Sequence, residues 1–279
     1  DVMCNLELSE EVKFLNDSSD GVGLFRTEYL YMNRDDTPTE HEQYQAYSKV
    51  FKKVNGKPVT LRTLDIGSDK EVSENMKVGQ IAKNPALGMR GIRYSLYEKN
   101  LFKIQIKAML RAAKNGKLRI LIPMITTLDE INKAKDLIDE AKTELIKEKK
   151  SFNPRYEVGI MIEVPASAIQ SNVLSKNVDF MSIGTNDLVQ YILAIDRVDD
   201  EVTSLYDPTN PAVLQLIKQV IGTCNRSRID ITVCGEMAGE KMYTKLLLGL
   251  GLTSFSMHPQ ACLLYTSPSP RDRQKWGVA

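Results

Sequence analysis

The stretch VDFMSIGTNDLVQYILAIDR, from Val178 to Arg197, decides the reading of this chain. It opens as a short apolar run of strand length and composition, breaks at Gly184-Thr185, and then sets Asn186 beside Asp187. Leu188, Tyr191 and Ile192 follow at roughly helical spacing. A buried strand therefore ends with a carboxamide and a carboxylate at its C-terminal lip, which in parallel α/β proteins is where ligands bind. Asn and Asp also cap helices readily, so the pair alone leaves both readings open. Recurrence of the same layout along the chain favours the ligand site.

Strand-like runs occur at Val2–Glu7, Gly21–Glu28, Pro58–Ile66, Leu118–Ile125, Glu157–Val164, Val178–Ile183, Ile229–Cys234 and Thr253–Met257. Between them lie helical patterns. Ser9 is positioned to cap a short helix. Thr39 with Glu42, and Thr127 with Glu130, have capping-box spacing. Tyr44, Tyr47, Phe51 and Val54 mark one face of a helix that Gly56 would stop. Asn210-Pro211 opens another helix, and Lys241–Leu250 is helical. The polar stretch from Gly67 to about Arg93 is long for a loop in a compact domain, and its Arg, Lys, Gly and Pro favour function. Alternating strands and helices imply a parallel sheet. The strand count and the 279 residues favour a (β/α)8 TIM barrel.

Hydrophobic content of 42%, charged content of 26% and a net charge of +1 describe a globular chain with no compositional pull toward nucleic acid or an anionic membrane. Cys4, Cys224, Cys234 and Cys262 are scattered without CxxC pairing, which argues against a disulfide scaffold or zinc ribbon and fits the cytoplasm. The start shows no secretory signal, and the uncharged run Leu246–Pro270 is too polar for a membrane span. There is no dinucleotide glycine fingerprint and no phosphate-binding GKS or GKT loop.

If the strands are right, Arg26, Arg62, Glu163, Asn186, Asp187 and Cys234 share one rim, with Arg90 and Arg197 in following loops. Clustered arginines repel unless an anion sits among them, and guanidinium forks match phosphate and carboxylate oxygens. Glu163 and Asp187 beside such an anion suit Mg2+, although Mn2+ takes the same oxygen ligands. Cys234 adds a titratable thiol, with a reference pKa of about 8.5, able to give or take a proton at neutral pH. Structural alternatives exist for each: Arg26 and Arg62 paired with Glu28 and Asp65, Glu163 as a solvated charge, Cys234 as a small core residue.

GVGLFRTEYLYMNRD, TLRTLDIGSDK, NPALGMRGIR, GIMIEVPAS, SIGTNDLVQYILAIDR and CGEMAGE, in this order, resemble the phosphoenolpyruvate-utilising enzyme family, and within it the C-terminal barrel of the enzyme I group of the bacterial sugar phosphotransferase system. The resemblance implies a barrel that binds phosphoenolpyruvate (PEP) and Mg2+ at its C-terminal rim. Arg26, Arg62 and Arg197 would hold phosphate and carboxylate, and Arg90 would add an anion contact. Asn186 and Asp187 would contact substrate, Glu163 and Asp187 would ligate Mg2+, and Cys234 would protonate the enolate to give pyruvate. It further implies a cytoplasmic homodimer that phosphorylates a histidine on a separate N-terminal domain and, through it, the histidine phosphocarrier protein, in the first step of sugar uptake. Neither His41 nor His258 resembles a phosphoacceptor, so the chain is expected to be a fragment. The same barrel in pyruvate phosphate dikinase or PEP synthase, and a non-catalytic dimerisation or PEP-sensing module, remain open. A metal-dependent lyase or aldolase barrel is a more distant alternative.

After Ser254-Phe-Ser-Met257 the resemblance fades. CLLYTSPSPRD, from Cys262, has no amphipathic period and resembles translated sequencing adapter. The expected division is a barrel domain at residues 1–261, lacking its last helix, and a non-native tail at 262–279.

Overall fold

The computed structural model describes residues 1–15, 19–66, 84–114 and 116–266. Eight strands, β1 (Val2–Leu6), β2 (Val22–Arg26), β3 (Pro58–Arg62), β4 (Lys117–Ile122), β5 (Tyr156–Ile162), β6 (Phe180–Ile183), β7 (Asp230–Val233) and β8 (Phe255–Met257), pair in sequence order. All pairings are parallel, and β1 closes against β8 to complete the barrel. The helices are α1 (Glu40–Val54), α2 (Ile92–Tyr97), α3 (Lys99–Ala112), α4 (Leu128–Lys147), α5 (Pro165–Ile169), α6 (Ser171–Leu174), α7 (Thr185–Leu193), α8 (Pro211–Ser227), α9 (Lys241–Gly249) and α10 (Pro259–Thr266).

Strand residues that point outward meet the buried stripes of these helices in one continuous core, to which α1 contributes Tyr47, Val50 and Phe51 and α4 contributes Ile131, Ile138 and Leu145. A smaller cluster of Leu24, Leu121, Met161, Phe180 and Cys234 fills the barrel interior. Gly159 makes room for it: a Cβ there would lie 2.5 Å from the Phe180 ring. Both predicted capping boxes form, with Thr39 opening α1 and Thr127 opening α4.

Helix α1 stops at Gly56 as expected, with Gly56 at φ 84° just after the C-cap Asn55, itself left-handed at φ 46°. Two local expectations are corrected. Ser9 lies inside a short 3-10 turn, Ser9–Phe14, whose N-cap is Leu8. A last helix also exists: α10 follows β8, and its Cys262 is buried against Cys4 with the two sulfurs 2.9 Å apart. Burial of Ala261 and Cys262 against β1 gives this stretch a docking face that no sequence period announces. The expected boundary at residue 262 therefore falls within a helix. Of the long polar stretch, Gly67–Lys83 lies outside the described residues, as does the chain beyond residue 266.

No helix among the described residues is long and apolar enough to cross a membrane.

Candidate active site at the C-terminal rim

The strand ends deliver the predicted residues to one cavity of about 270 Å3, lined among others by Arg26, Arg62, Asp65, Arg90, Glu163 and Cys234. Asn186, Asp187 and Arg197 line it too. All eight residues expected at the site are thus brought together.

Cross-strand pairing places Arg26 directly beside Arg62, and acids offset the resulting repulsion. Arg26 Nη1 lies 2.7 Å from Glu7 Oε1. Arg62 Nη2 lies 2.5 Å from Glu28 Oε1, and its Nη1 lies 3.2 Å from Asp65 Oδ2. The structural pairing foreseen for Arg62 is therefore real, whereas Arg26 takes Glu7 in place of Glu28. Burial works against the charge on Arg62, but Glu28 and Asp65 outweigh it and raise the guanidinium pKa. Its Nε is buried without a hydrogen-bond partner, and Arg62 is among the residues that line the cavity.

Arg90 clamps Asp65 through Nε (3.1 Å) and Nη2 (2.9 Å), and Nη2 also reaches Asp187 Oδ2 at 3.2 Å. Asp187 sits in the first turn of α7, where the helix dipole favours a carboxylate. Arg197 is looser, at 3.9 Å from Asp187 and 40% exposed. Helix α3 braces the turn after β3. Gln105 accepts from the Leu64 amide at 2.9 Å and donates to Thr27 Oγ1 at 3.0 Å, and Thr27 in turn donates to the Arg62 carbonyl at 2.8 Å.

Asp65, Glu163 and Asp187 each offer a carboxylate oxygen within 4.8 Å of the others, all three buried. Burial, reinforced by the charges of Asp65 and Asp187, pushes the Glu163 carboxyl up to about 8. Met124 holds one Glu163 oxygen through its backbone N–H at 2.7 Å, from a left-handed backbone at φ 60° that a non-glycine residue rarely adopts. Three converging buried carboxyl groups, one raised above the ordinary carboxyl range by burial and by the charges of the other two, fit a hard divalent cation such as Mg2+ by donor chemistry. Asp65 is the member that sequence reasoning missed as a ligand, having treated it only as a partner for Arg62. Its position just past a strand end, three residues after Arg62, was the available signal.

The Asn186 amide is engaged at both atoms: Nδ2 donates one N–H to Glu236 Oε1 at 2.9 Å, and Oδ1 accepts from the Glu236 backbone N–H at 2.9 Å. In this structure the side chain expected to meet substrate fastens the β6 lip to the loop after β7. Cys234, the first residue of that loop, is buried at the cavity wall with Sγ 3.6 Å from the Ile183 carbonyl. Burial raises its thiol pKa, with Arg62 partly offsetting the rise, so the thiol is held protonated at neutral pH. Tyr191, which the sequence reading left as an apolar helix residue, lies behind the cavity wall with its hydroxyl 3.3 Å from Arg90 Nη1. Burial pushes its hydroxyl up to about 12.

The profile of the family described as "PEP-utilising enzyme, PEP-binding domain" matches residues 1–267. The chain belongs to the PEP-utilising enzyme family. The match runs past residue 261, where sequence reasoning placed the end of the barrel. Among curated relatives, a phosphoenolpyruvate-protein phosphotransferase of Cupriavidus necator is 46% identical over 265 residues, covering 94% of this chain and 45% of the relative. One from Priestia megaterium is 45% identical over 264 residues, covering 94% and 46%. The chain thus spans about half the length of the curated relatives it matches. Solved structures share the fold at much lower identity. An HpcH/HpaI aldolase/citrate lyase family protein from Burkholderia cenocepacia matches with TM-score 0.57 and 12% identity, covering all of this chain and 94% of that one. A citrate lyase from Burkholderia xenovorans gives 0.55 and 12%, covering 98% and 79%. Membership in the PEP-utilising family agrees with a rim in which arginines and carboxylates face one cavity.

Proposed function

We propose that this barrel binds PEP with Mg2+ and is the catalytic part of a cytoplasmic, homodimeric phosphoenolpyruvate-protein phosphotransferase. The acceptor is a histidine elsewhere in the full-length protein, which then serves the histidine phosphocarrier protein in sugar uptake. The observation that carries this reading is the buried triad Asp65, Glu163 and Asp187 set against Arg62 and Arg90 in one cavity with the Cys234 thiol. Relatives named phosphoenolpyruvate-protein phosphotransferase support it over a dikinase or synthase barrel.

Glu163 and Asp187, with Asp65 beside them, would hold a Mg2+, which when bound would supply a Lewis acid for charge developing on substrate oxygens. Arg62 and Arg90, largely buried in the cavity wall, hold phosphate oxygens there, where a preorganised positive charge is most effective. Arg26 and Arg197, more exposed at the mouth, neutralise the remaining anionic oxygens. During transfer the bond from phosphorus to the enol oxygen breaks, its electron pair stays on that oxygen, and the phosphoryl group passes to the histidine nitrogen. The enolate's methylene carbon takes the proton of Cys234 Sγ, giving pyruvate and a thiolate that solvent reprotonates. A thiol kept protonated by burial suits that task. His41 and His258 line no part of this cavity.

The test is a titration of PEP into the chain with and without Mg2+, followed by melting temperature. A ligand specific to the native state at 100 times its Kd adds about 2.7 kcal/mol of apparent stability. Stabilisation that needs Mg2+ and disappears in Glu163→Ala supports the reading. A folded chain indifferent to PEP at millimolar concentration rejects it.

A further inference from the structure

The function proposed above leaves Tyr191 without a task, although its hydroxyl sits at a junction. Tyr191 lies on α7 and does not line the substrate cavity. Its Oη accepts from Arg90 Nη1 at 3.3 Å and donates to the Ala86 carbonyl at 2.5 Å. One oxygen therefore ties Arg90 to the 3-10 turn Pro85–Leu87, and Pro85 and Ala86 are themselves walls of the cavity.

A guanidinium carries five N–H donors in fixed directions. In Arg90 the Nε hydrogen and the two on Nη2 are taken by Asp65 and Asp187. Tyr191 takes one of the two on Nη1, leaving a single Nη1 hydrogen for an anion in the cavity that Arg90 lines. The two carboxylates fix one edge of the fork, and the tyrosine hydroxyl fixes the other. Without it, the free edge can turn away from the ligand and the Pro85–Leu87 turn loses its link to α7.

We infer that Tyr191 is a positioning residue for PEP, setting affinity through Arg90 and the Pro85–Leu87 turn without touching the ligand. The inference rests on the cavity being the PEP site. Tyr191→Phe keeps the ring, which packs on the main core, and removes only the hydroxyl. With Mg2+ saturating, the PEP Kd measured by calorimetry is expected to rise about tenfold, with the ligand-free melting temperature nearly unchanged. In an Arg90→Lys background the same substitution is expected to add almost nothing, because residues acting through one another are non-additive.

Unchanged affinity in Tyr191→Phe, beside a wild type that binds PEP, overturns the inference and leaves the site reading intact. An equal loss in the Arg90→Lys background overturns it too, since the tyrosine then acts independently of Arg90. A fall in ligand-free stability large enough to explain the weaker binding makes Tyr191 a structural residue and has the same effect. A folded wild type that binds no PEP removes the inference together with the reading beneath it.

Discussion

Arg62 and Arg119 leave neighbouring strands toward opposite ends of the barrel, and each keeps only 8% of its side-chain surface exposed. Their partners differ. Arg62, at the C-terminal end of β3, faces Glu28 and Asp65, both 1% exposed, and is one of the residues that line the cavity. Arg119, near the N-terminal end of β4, sits over the Phe180 ring at 4.0 Å from its centroid and reaches the exposed Glu157 and Asp230. One buried guanidinium is locked among buried acids around a cavity. The other plugs the barrel floor and shares its charge with acids that water already solvates. Burial of an arginine therefore says little until the burial of its partners is known.

Removing the two side chains separates these cases most sharply. Arg62→Ala removes the ion pair to the buried Glu28 and one of the two arginines at Asp65, which Arg90 still clamps, and is expected to cost about 3–5 kcal/mol of stability, with PEP binding lost. Arg62→Lys keeps the charge but not the fork and is expected to weaken PEP binding at least about 100-fold by calorimetry while preserving most of the stability. A lysine variant that binds as tightly as wild type would remove the fork from the argument.

The carboxylates at the rim make a pH signature that the floor lacks. Glu163 titrates at about 8 in the folded chain, above the ordinary carboxyl range. The folded state then binds this proton more tightly than the unfolded state. Its contribution is fully present below the unfolded pKa and is lost as pH rises through the folded one, a decline on the order of a few kcal/mol between about pH 4.5 and 8. Urea unfolding of wild type and Glu163→Gln across that window measures it as a difference. The glutamine variant is expected to lack the decline, and saturating Mg2+ is expected to flatten it in the wild type. Parallel profiles for the two proteins would place the proton elsewhere.

Arg119→Ala is the counterpart at the floor. It removes the guanidinium over Phe180 but leaves acids that stay hydrated, so the expected cost is about 1–2 kcal/mol in a urea melt. PEP affinity should not change. A weakened Kd would mean that the interior cluster of Leu24, Leu121, Met161, Phe180 and Cys234 transmits the floor's packing to the rim.

The same contrast explains what could be read from the chain beforehand. Barrel strands announce themselves as apolar runs, and the residue where each run stops is a rim residue. Arg26, Arg62, Glu163 and Cys234 stand at or next to such stops, Asp187 follows in the first turn of α7, and the closed barrel brings all five to one cavity. What stayed hidden was pairing across distant segments. Arg26 takes Glu7, Asn186 takes Glu236, and Tyr191 takes Arg90, contacts that depend on which neighbours the closed barrel brings together. Asp65 escaped as a metal-ligand candidate because its nearest sequence partner, Arg62, offered a sufficient explanation. Helix α10 escaped because its burial comes from one face of β1 and not from an internal period.

Position at the rim is not in itself a share in the site, and Thr127 provides the smallest test of that distinction. It caps α4 just beyond the C-terminal end of β4, with Oγ1 accepting from the Glu130 N–H at 3.3 Å. The reciprocal arm is stronger: Glu130 Oε2 accepts from the Thr127 N–H at 2.9 Å and from the Thr126 N–H at 2.6 Å. Thr127→Ala leaves that arm in place and exposes one helix N–H to water, so the expected loss is about 0.5–1 kcal/mol, at the low end for a cap. Because neither Thr127 nor Glu130 lines the cavity, the PEP Kd is expected to stay at its wild-type value. A measurable change in Kd would show that the register of α4 reaches the Met124 backbone N–H that holds Glu163, and the rim would then be one mechanical unit.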